Sequence, residues 1–499
     1  MASASKTVIE LAAAVDGIVD AVDPSHNPLI YDVTHDSRQA DTGVLFVAVR
    51  GANFDGHEFV PAALARGASA VCVEHRLSVE APQVIVSDSR RALGPLAALV
   101  HGDPSASMKV IGVTGTNGKT TVTHYIESIA STSGISAGLI GTIHTRIAGG
   151  TIESAHTTPE ASDFQRLLKE MLDAGTQLVA AEVSSHALEM GRVAATRFEV
   201  AAFTNLSQDH LDFHGDMERY RAAKTRLFEE YEVGTAVVNI DDSTGREIAR
   251  EYSKDLLTVG RDGDVRREGE RAVARGVEFR LVTPWGSDTV VAPVIGTFNL
   301  DNALMAVACA MAAGLDYADV LLGLTDLAKV PGRYEIVSAS DPIKVIVDYA
   351  HTPEGIVEAI AAARSIGARR VIAVVGAGGD RDQEKRPLMG AAAAKADVAV
   401  ITSDNPRTED PARIVSAVVS GIPRTRDSVV EVDRRSAIQH GIDLAEDGDI
   451  VLVLGRGHEP VQDLGDRRVP FDDRQVAREA LDARRKPTGR QGGSGSVAL

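Results

Sequence analysis

An apolar run that leads into a glycine-rich turn, residues 110–121 (VIGVTGTNGKTT), constrains the fold of this chain more than any other segment. The Val/Ile run is typical of a strand, and the turn ends where a helix would begin, so that backbone N–H groups and the helix dipole would face phosphate oxygens. Gly115 and Gly118 would let the backbone approach a ligand closely. Lys119 would contact the β- and γ-phosphates, and the Thr120 hydroxyl would reach Mg²⁺. The segment therefore predicts a nucleoside triphosphate site.

The spacing of this turn departs from the usual phosphate-binding loop. That loop has a glycine five positions before the glycine that precedes the lysine. Here Val113 holds that position, and Gly112 comes one place earlier. The alternative interpretation is an ordinary Gly/Asn turn between a strand and a helix. A Gly-Lys-Thr-Thr ending directly after a Val/Ile-rich run is uncommon by chance, and it favours the nucleotide site.

The composition narrows the class of protein. A chain of 499 residues corresponds to about three domains. Its 52 basic and 70 acidic residues give a net charge of −18, which argues against nucleic acid as a partner. No apolar stretch approaches the ~18 residues of a membrane span, and acidic residues near the N-terminus argue against a signal peptide. Cys72 and Cys309 lie in apolar surroundings and indicate buried thiols of a reducing compartment. We expect a soluble cytoplasmic monomer without a membrane partner.

The pattern of predicted strands and helices divides the chain into three α/β domains. Residues 1–107 form a small domain that ends in a Pro/Gly/Ser linker at 101–107. Residues 108–331 repeat strand and helix, which predicts a mainly parallel sheet. The pattern restarts at 332–484 as a doubly wound sheet, and the low-complexity tail 485–499 is predicted to be disordered. The predicted strands are 44–49, 68–73, 83–86, 178–183, 200–203, 344–348, 370–375, 398–401 and 450–454. The predicted helices are 60–66, 92–99, 354–365 and 387–396, with an alanine-rich helix that opens at 297–302.

Three polar segments of the central domain lie at or near the predicted strand ends and are candidates for a binding site. Ligands of parallel sheets bind at the carboxyl ends of the strands. Glu182 ends a buried strand, where a hard cation accepts oxygen ligands. His210 lies in the polar stretch 204–214, and Lys224 lies in a helical stretch. Each has an ordinary explanation by itself: a solvent-facing glutamate, a loop histidine and a surface lysine. Their joint occurrence after a phosphate loop favours a site.

Polar turns also follow the strands of the third domain. Four of them would lie at one edge of its sheet and form one binding surface, although each alone reads as an ordinary turn. These turns are 348–351 (DYAH), 376–382 (GAGGDRD), 404–407 (DNPR) and 455–459 (GRGHE). Before them, Arg333 in a Pro-Gly-Arg turn would be either a phosphate clamp or a plain loop arginine.

Taken together, these segments resemble the Mur ligase family. The resemblance spans all three domains in order and rests on GTNGKTT at 115–121, EVSSH at 182–186, DHLDFHG at 209–215, PGR at 331–333, DYAHTP at 348–353, GGDRD at 378–382, DNPR at 404–407 and GRGHE at 455–459. It implies an N-terminal domain that binds a UDP-N-acetylmuramoyl-peptide, a central phosphate-loop ATPase-like domain and a C-terminal Rossmann-like domain that binds an amino acid. It also implies an ATP-dependent amide ligase of peptidoglycan precursor synthesis that works through an acyl phosphate.

The resemblance implies roles for residues at matching positions. ATP would be bound by Gly115, Thr116, Asn117, Gly118, Lys119, Thr120, Thr121, Asn302, Arg333 and Asp348. Mg²⁺ would be bound by Thr120, Glu182, His210 and Lys224, with Lys224 carbamylated to N6-carboxylysine. Catalytic roles would fall to Lys119, Glu182, His210 and Lys224. The UDP-linked substrate would be bound by Ser37, Ala52, Asn53, Phe54, Thr157, Thr158, Ser184 and Arg192. A diamino acid would be bound by Arg386, Asp404, Asn405, Pro406, Arg407, Gly455 and Glu459. Met190 departs from the pattern, since a glutamine often contacts the substrate there.

The turn 404–407 indicates which diamino acid is used. A planar guanidinium pairs bidentately with a carboxylate, and meso-diaminopimelate has a distal carboxylate that lysine lacks. Asp404 and Glu459 would attract the distal ammonium group. The alternatives are the same ligation with lysine or another diamino acid, a different Mur ligase or folylpolyglutamate synthetase, and a phosphate-loop nucleotide switch. The chain contains no Asn-Lys-x-Asp motif of the kind that reads guanine.

Overall fold

The computed structural model describes residues 5–20, 26–51, 54–154, 156–338 and 342–485. The chain forms two compact units. The first unit contains the chain up to Ser207 together with His214–Ala328, and the second contains Gln208–Phe213 and the chain from Lys329 onward. Among the described residues, no helix has both the length and the apolar character needed to cross a membrane.

The first unit begins with a five-stranded sheet. Four of its strands are parallel, and the strand at one edge is antiparallel. In spatial order the strands are Ile18–Asp20, Gln83–Ile85, Ala70–Val73, Val44–Val47 and Asp32–Thr34. The helices of this region are Val8–Ala14, Val60–Ala65 and Ser89–Val100, with short 3-10 turns at Ser37–Gln39, Gly56–Phe59 and Pro104–Ala106, and a small ribbon pairs Lys6–Thr7 with Leu29–Ile30. The three strands and two helices predicted from the sequence are present with ends shifted by a few residues.

An eight-stranded sheet follows in the same unit. Six strands are parallel, as the sequence predicted, and a hairpin adds two antiparallel strands at one edge. In spatial order they are Gly150–Glu153, His144–Ile147, Ala137–Ile140, Leu178–Glu182, Lys109–Thr114, Arg197–Phe203, Glu232–Asn239 and Asp255–Val259. The helices are Lys119–Thr132, Ala161–Asp173, Ser185–Glu189, Leu211–His214, Met217–Glu229, Ser243–Glu251, Thr297–Ala312 and Tyr317–Thr325. The strand before the phosphate loop is central and is buried apart from its first residue, which explains its apolar sequence.

The prediction of strand–helix alternation throughout 108–331 is wrong for one segment. Arg266–Val273, Gly276–Thr283 and Gly286–Ala292 form a separate antiparallel sheet. Successive strands are joined by two-residue turns, a connection that only antiparallel neighbours allow. The alternation of polar and apolar residues in 276–283 (GVEFRLVT) carried this information in the sequence.

The second unit contains a six-stranded, mainly parallel sheet of the doubly wound type, as predicted. In spatial order the strands are Glu335–Ile336, Lys344–Asp348, Ile450–Leu454, Val371–Ala377, Val398–Ser403 and Ser428–Val430, and a small ribbon pairs Val461–Asp463 with Arg468–Pro470. The helices are Pro353–Ser365, Lys385–Ala393, Pro411–Val419, Arg434–Leu444 and Asp473–Arg485.

Two predicted boundaries in this unit need correction. The helix predicted at 387–396 is Lys385–Ala393, because Pro387 is tolerated within the first turn, where backbone N–H groups have no partner inside the helix. Arg485, assigned to the disordered tail, is the last residue of a helix. The rest of that predicted tail, 486–499, lies outside the described residues.

Candidate active site

The glycine-rich turn has the backbone of a phosphate-binding loop. It connects the central strand Lys109–Thr114 to the helix Lys119–Thr132. Gly115 and Gly118 have φ angles of 144° and 89°, in the region that favours glycine. A Cβ atom at Gly115 would lie 1.9 Å from Thr204 Oγ1, and one at Gly118 would lie 2.3 Å from Asn302 Oδ1. Both glycines are therefore required, and Asn302 lies directly against the loop.

Two lysines converge on one carbonyl oxygen of this loop. Lys119 Nζ donates to Gly115 O and Thr116 O, at 2.9 Å each. Lys224 Nζ donates to the same Gly115 O at 2.7 Å. Lys224 is 1% exposed, and its Nζ lies 4.5 Å from the centre of the Tyr220 ring. The alternative of a surface lysine is therefore excluded, and two lysine side chains lie against the loop where a polyanion would bind.

Glu182 is buried beside the loop at the end of a parallel strand. Its strand pairs with the central strand so that Glu182 lies opposite Val113. Glu182 Oε2 accepts hydrogen bonds from Thr120 Oγ1 at 2.9 Å and from Thr142 Oγ1 at 3.0 Å, and Oε1 accepts one from the Thr142 N–H at 2.7 Å. A Cβ atom at Gly141 would lie 2.4 Å from Oε1. The carboxylate is thus clamped, and Thr142 is a contributor that the sequence analysis missed.

The pair formed by Thr120 and Glu182 is suited to hold Mg²⁺. Mg²⁺ prefers oxygen ligands and uses one or two carboxylates together with phosphate oxygens and waters. Within the described ranges no group of three or more His, Cys, Asp and Glu side chains is arranged to hold a metal ion by itself. His210 belongs to the segment Gln208–Phe213 of the second unit, whereas Thr120, Glu182 and Lys224 belong to the first. The structure therefore brings together two of the predicted metal ligands.

We expect the replacement of Thr142 by valine to lower kcat roughly tenfold, because the Glu182 carboxylate loses one hydrogen bond worth about 1.5 kcal/mol. The backbone N–H of residue 142 would remain in place. Thr142→Ser keeps the hydroxyl and serves as the matched control, with kcat within about twofold of the unmutated enzyme. Steady-state kinetics and the thermal midpoint of each variant provide the measurement. A valine variant with full activity would show that the clamp is dispensable.

The residues predicted to bind the UDP-linked substrate are only partly brought together. Thr158 Oγ1 donates to Glu182 O at 2.8 Å and accepts from the Ser184 N–H at 3.1 Å. Arg192 Nη1 donates to Thr158 O at 3.2 Å, and Thr157 Oγ1 lies 3.0 Å from Thr142 Oγ1, within hydrogen-bond distance.

The remaining predicted contacts of this substrate lie elsewhere. Ser37 begins a 3-10 turn of the first sheet, and Phe54 is 70% exposed. Ala52 and Asn53 lie outside the described residues. Met190 caps the C-terminal end of the helix Ser185–Glu189.

Glu160 was missed by the sequence analysis. Its carboxylate pairs with Arg192 at 2.8 Å and with Arg90 at 3.3 Å. Arg90 lies on the helix Ser89–Val100, which packs against the first sheet. Glu160 therefore fixes Arg192 and links the two sheets of the first unit.

The second unit brings Arg333 and Asp348 together. The Arg333 guanidinium carbon lies 4.4 Å from the centre of the Tyr349 ring. The Asp348 carboxylate accepts hydrogen bonds from the N–H groups of Tyr334 at 2.6 Å and Ala350 at 2.8 Å. Burial raises the pKa of Asp348, and the charge of Arg333 opposes this shift. A Cβ atom at Gly332 would lie 2.1 Å from the backbone nitrogen of His458, so the Pro-Gly-Arg and Gly-Arg-Gly turns need their glycines to pack together.

A buried ion pair next to His210 was not predicted. Lys385 Nζ lies 2.8 Å from Asp209 Oδ1, and both side chains are at least nine-tenths buried. His351 Nε2 lies 3.3 Å from Asp209 Oδ2, and His210 Nε2 lies 3.4 Å from the same oxygen. Although burial opposes ionisation, the hydrogen bond from His351 and the charge of Lys385 hold the pKa of Asp209 well below its ordinary value. This pair anchors the segment that carries His210 to the second unit.

The two arginines of the predicted amino-acid pocket differ in their partners. Arg386 donates two hydrogen bonds to the Glu409 carboxylate, at 2.7 and 2.9 Å, and a third to Gly378 O at 3.2 Å. Arg407, held at a φ angle of 51°, donates to Gly379 O at 2.5 Å. In the described part of the chain Arg407 has no carboxylate within ion-pair distance, whereas Arg386 forms an ion pair with Glu409. Of the two, Arg407 is the cation that can accept a carboxylate.

Acidic groups lie close to this turn. Asn405 Nδ2 donates to Glu459 Oε2 at 2.8 Å. A Cβ atom at Gly455 would lie 2.6 Å from Asp404 Oδ2, so this glycine allows the close approach. Burial and the neighbouring Asp404 raise the pKa of Glu459. Pro406 is buried between these residues and Arg407. The turn 404–407 thus has an arginine at one end and two acidic side chains, Asp404 and Glu459, near the other.

Comparison with known proteins decides the family. The Mur ligase middle domain matches residues 113–310, the Mur ligase glutamate ligase domain matches 332–457, and the Mur ligase family catalytic domain matches 29–101. The UDP-N-acetylmuramoyl-L-alanyl-D-glutamate--2,6-diaminopimelate ligase of Geobacillus kaustophilus (strain HTA426) is 45% identical over 469 residues, which cover 92% of this chain and 96% of that protein. The chain belongs to the Mur ligase family.

Two further Mur ligases support this membership. The ligase of the same name from Gloeobacter violaceus (strain ATCC 29082 / PCC 7421) is 46% identical over 463 residues, or 91% of this chain and 94% of that protein. A solved structure of a UDP-N-acetylmuramoyl-L-alanyl-D-glutamate--2,6-diaminopimelate ligase has a TM-score of 0.68 and 32% identity, and the match covers 97% of this chain and all of that one. As a Mur ligase the protein is an ATP-dependent ligase, which excludes the nucleotide-switch alternative.

Proposed function

We propose that this Mur ligase joins meso-2,6-diaminopimelate to UDP-N-acetylmuramoyl-L-alanyl-D-glutamate, as the names of its relatives state for them. The reaction consumes ATP and takes place in the cytoplasm as a step of peptidoglycan precursor synthesis. A carboxylate oxygen of the substrate attacks the γ-phosphorus of ATP, and ADP leaves. The amine of the amino acid then attacks the acyl phosphate, and inorganic phosphate leaves as the amide forms and the amine loses a proton.

The loop and Lys119 support the first step. Phosphoryl transfer depends mainly on positioning and on neutralising negative charge. The backbone of 115–118 and the Lys119 ammonium would bind the triphosphate. Asn302 would fix the loop through its contact with Gly118. Arg333 and Asp348 would also bind the nucleotide, as the family resemblance implies.

Thr120 and Glu182 would hold Mg²⁺, together with His210 and a carbamylated Lys224. When bound, Mg²⁺ supplies positive charge that lowers the repulsion between the carboxylate and the triphosphate. Carbamylation would first remove a proton from the Lys224 ammonium, and CO₂ would then add to the neutral amine with loss of a second proton. The product is a carboxylate-like oxygen ligand in place of a cation. The buried position of Lys224 beside Gly115 supports this role.

The observation that carries the choice of amino acid is the different pairing of Arg386 and Arg407. Arg386 forms an ion pair with Glu409, whereas Arg407 has no carboxylate within ion-pair distance among the described residues. A distal carboxylate on the amino acid would complete that pairing, and lysine could not. Asp404 and Glu459 would bind the distal ammonium.

Phosphate release tests this function directly. We expect the purified protein to release phosphate from ATP only when both UDP-N-acetylmuramoyl-L-alanyl-D-glutamate and diaminopimelate are present. A panel of diaminopimelate, lysine and ornithine should give a kcat/KM at least roughly tenfold higher for diaminopimelate. Equal use of lysine would refute the proposed specificity, and release of phosphate without either substrate would refute the ligation.

A further inference from the structure

A cluster of fully buried charges lies behind the 404–407 turn. The side chains of Arg434, Arg456 and Asp473 are each 0% exposed. Arg434 binds both oxygens of Asp473, at 2.8 and 2.6 Å, and so forms a closed ion pair. Arg456 Nε is 3.9 Å from the nearer Asp473 oxygen, which is too long for a hydrogen bond. The positive charge of Arg456 must therefore be balanced mainly by groups other than Asp473.

The hydrogen bonds of Arg456 fix the orientation of the Asn405 amide. Arg456 Nη1 donates to Asn405 Oδ1 at 2.7 Å, and the Asp463 N–H donates to the same oxygen at 2.9 Å. If the amide were flipped, its NH₂ group would face two donors. The NH₂ group must therefore point the other way, where it donates to Glu459 Oε2 at 2.8 Å. Arg456 thus holds Glu459 in place through Asn405.

Around Glu459 the carboxylates outnumber the guanidinium groups by one. The charged and titratable groups that face it are Asp404, Arg456, Arg434, His351 and Tyr349. Two guanidinium groups are set against the three carboxylates Asp404, Glu459 and Asp473. Tyr349 is neutral because burial raises its pKa, and His351 is paired with Asp209. With all three carboxylates ionised, these five side chains together have a surplus of one negative charge.

We propose that Arg456 is a positioning residue for the amino-acid substrate, which keeps Glu459 ionised beside Asp404 and orients it through Asn405 so that the pocket binds an ammonium group. This inference rests on the proposed ligation of a diamino acid. Burial and Asp404 favour the neutral form of Glu459, and Arg456 and the Asn405 hydrogen bond oppose them. Without Arg456 the carboxyl would lose a nearby charge that favours its ionised form, and a neutral carboxyl would not attract the ammonium group of the substrate.

The test compares Arg456→Gln with the unmutated enzyme as the pH is raised from about 6.5 to about 8.5, across the range in which a shifted carboxyl would titrate. We expect the KM for diaminopimelate to rise roughly tenfold at neutral pH and the ratio of the two KM values to fall to about threefold at the highest pH, because Glu459 then ionises without Arg456. The KM for ATP should not change. Taking the ratio at each pH removes the titration of the substrate itself.

Two further variants separate charge from structure. Arg456→Lys keeps the charge and loses the planar fork, so its KM for diaminopimelate should rise by the same factor at every pH. Arg435→Gln changes an arginine that is 55% exposed and serves as the matched control, with an unchanged KM. A KM unchanged in Arg456→Gln, or raised equally at every pH, would overturn the proposal.

A direct measurement covers the case in which Arg456→Gln does not fold. Carbon NMR of the unmutated protein, with Glu459→Gln to assign the signal, gives the pKa of Glu459. A value below neutrality is expected, and a value above it would overturn the proposal. Failure of the unmutated enzyme to use diaminopimelate would instead refute the proposed function, so the two failures are distinguishable.

Discussion

Replacement of Lys224 by alanine is expected to lower kcat by roughly a thousandfold or more, the effect typical of removing a group that stabilises charge in the transition state. Lys224 is buried against the phosphate loop, where its amine donates to Gly115 O at 2.7 Å. Alanine would remove both this contact and the site of carbamylation. The loss should appear in kcat for phosphate release with all three substrates present.

Chemical rescue distinguishes a carbamate from an ammonium at this position. The alanine variant would have a cavity beside the loop, and added acetate or formate could place a carboxylate there. We expect partial recovery of activity with these acids and none with short alkylamines. Recovery with amines alone would mean that Lys224 acts as a cation. Lys254→Ala, at an exposed position of the same unit, is the matched control and should retain full activity.

Replacement of Arg407 by alanine is expected to raise the KM for diaminopimelate roughly a hundredfold, since a charge-assisted hydrogen bond to the distal carboxylate contributes up to about 3 kcal/mol. The KM for ATP should stay within about twofold, because none of the contacts proposed for the nucleotide involves Arg407. The preference for diaminopimelate over lysine should largely disappear, because the variant can no longer distinguish a carboxylate from a hydrogen atom. Steady-state kinetics with both amino acids provide the measurement.

Arg413→Ala is the control for this variant, because Arg413 is an exposed arginine shortly after the turn. Arg407→Lys should recover only part of the affinity, since an ammonium cannot bind a carboxylate through a planar fork. If the alanine variant still prefers diaminopimelate, the distal carboxylate is recognised elsewhere. Arg386 would then be the first candidate, although its charge is already matched by Glu409.

Local patterns in the sequence were sufficient to predict the phosphate loop and much of the fold. Gly115 and Gly118 were assigned to close backbone approach, and the structure gives both the positive φ angles that this requires. The strands Lys344–Asp348 and Ile450–Leu454 were predicted with their observed ends, because buried parallel strands are uninterrupted apolar runs. The antiparallel sheet of 266–292 was missed, because the expectation of strand–helix alternation was extended over this segment. In 276–283 polar and apolar residues alternate with a period of two, which is typical of a strand.

The contacts that give the candidate site its chemistry were decided by the tertiary structure. Thr142 binds Glu182 from the turn after the strand Ala137–Ile140, some forty residues away in the chain. Glu160, Glu409 and Lys385 likewise form ion pairs with residues that the packing of separate elements brings to them. The sequence by itself determined which residue types stand at the strand ends, since this depends on neighbours along the chain. Only the folded chain decided that Arg386 has a carboxylate within ion-pair distance and that Arg407, among the described residues, has none, because the register of the strands and the packing of the helices bring distant charges together.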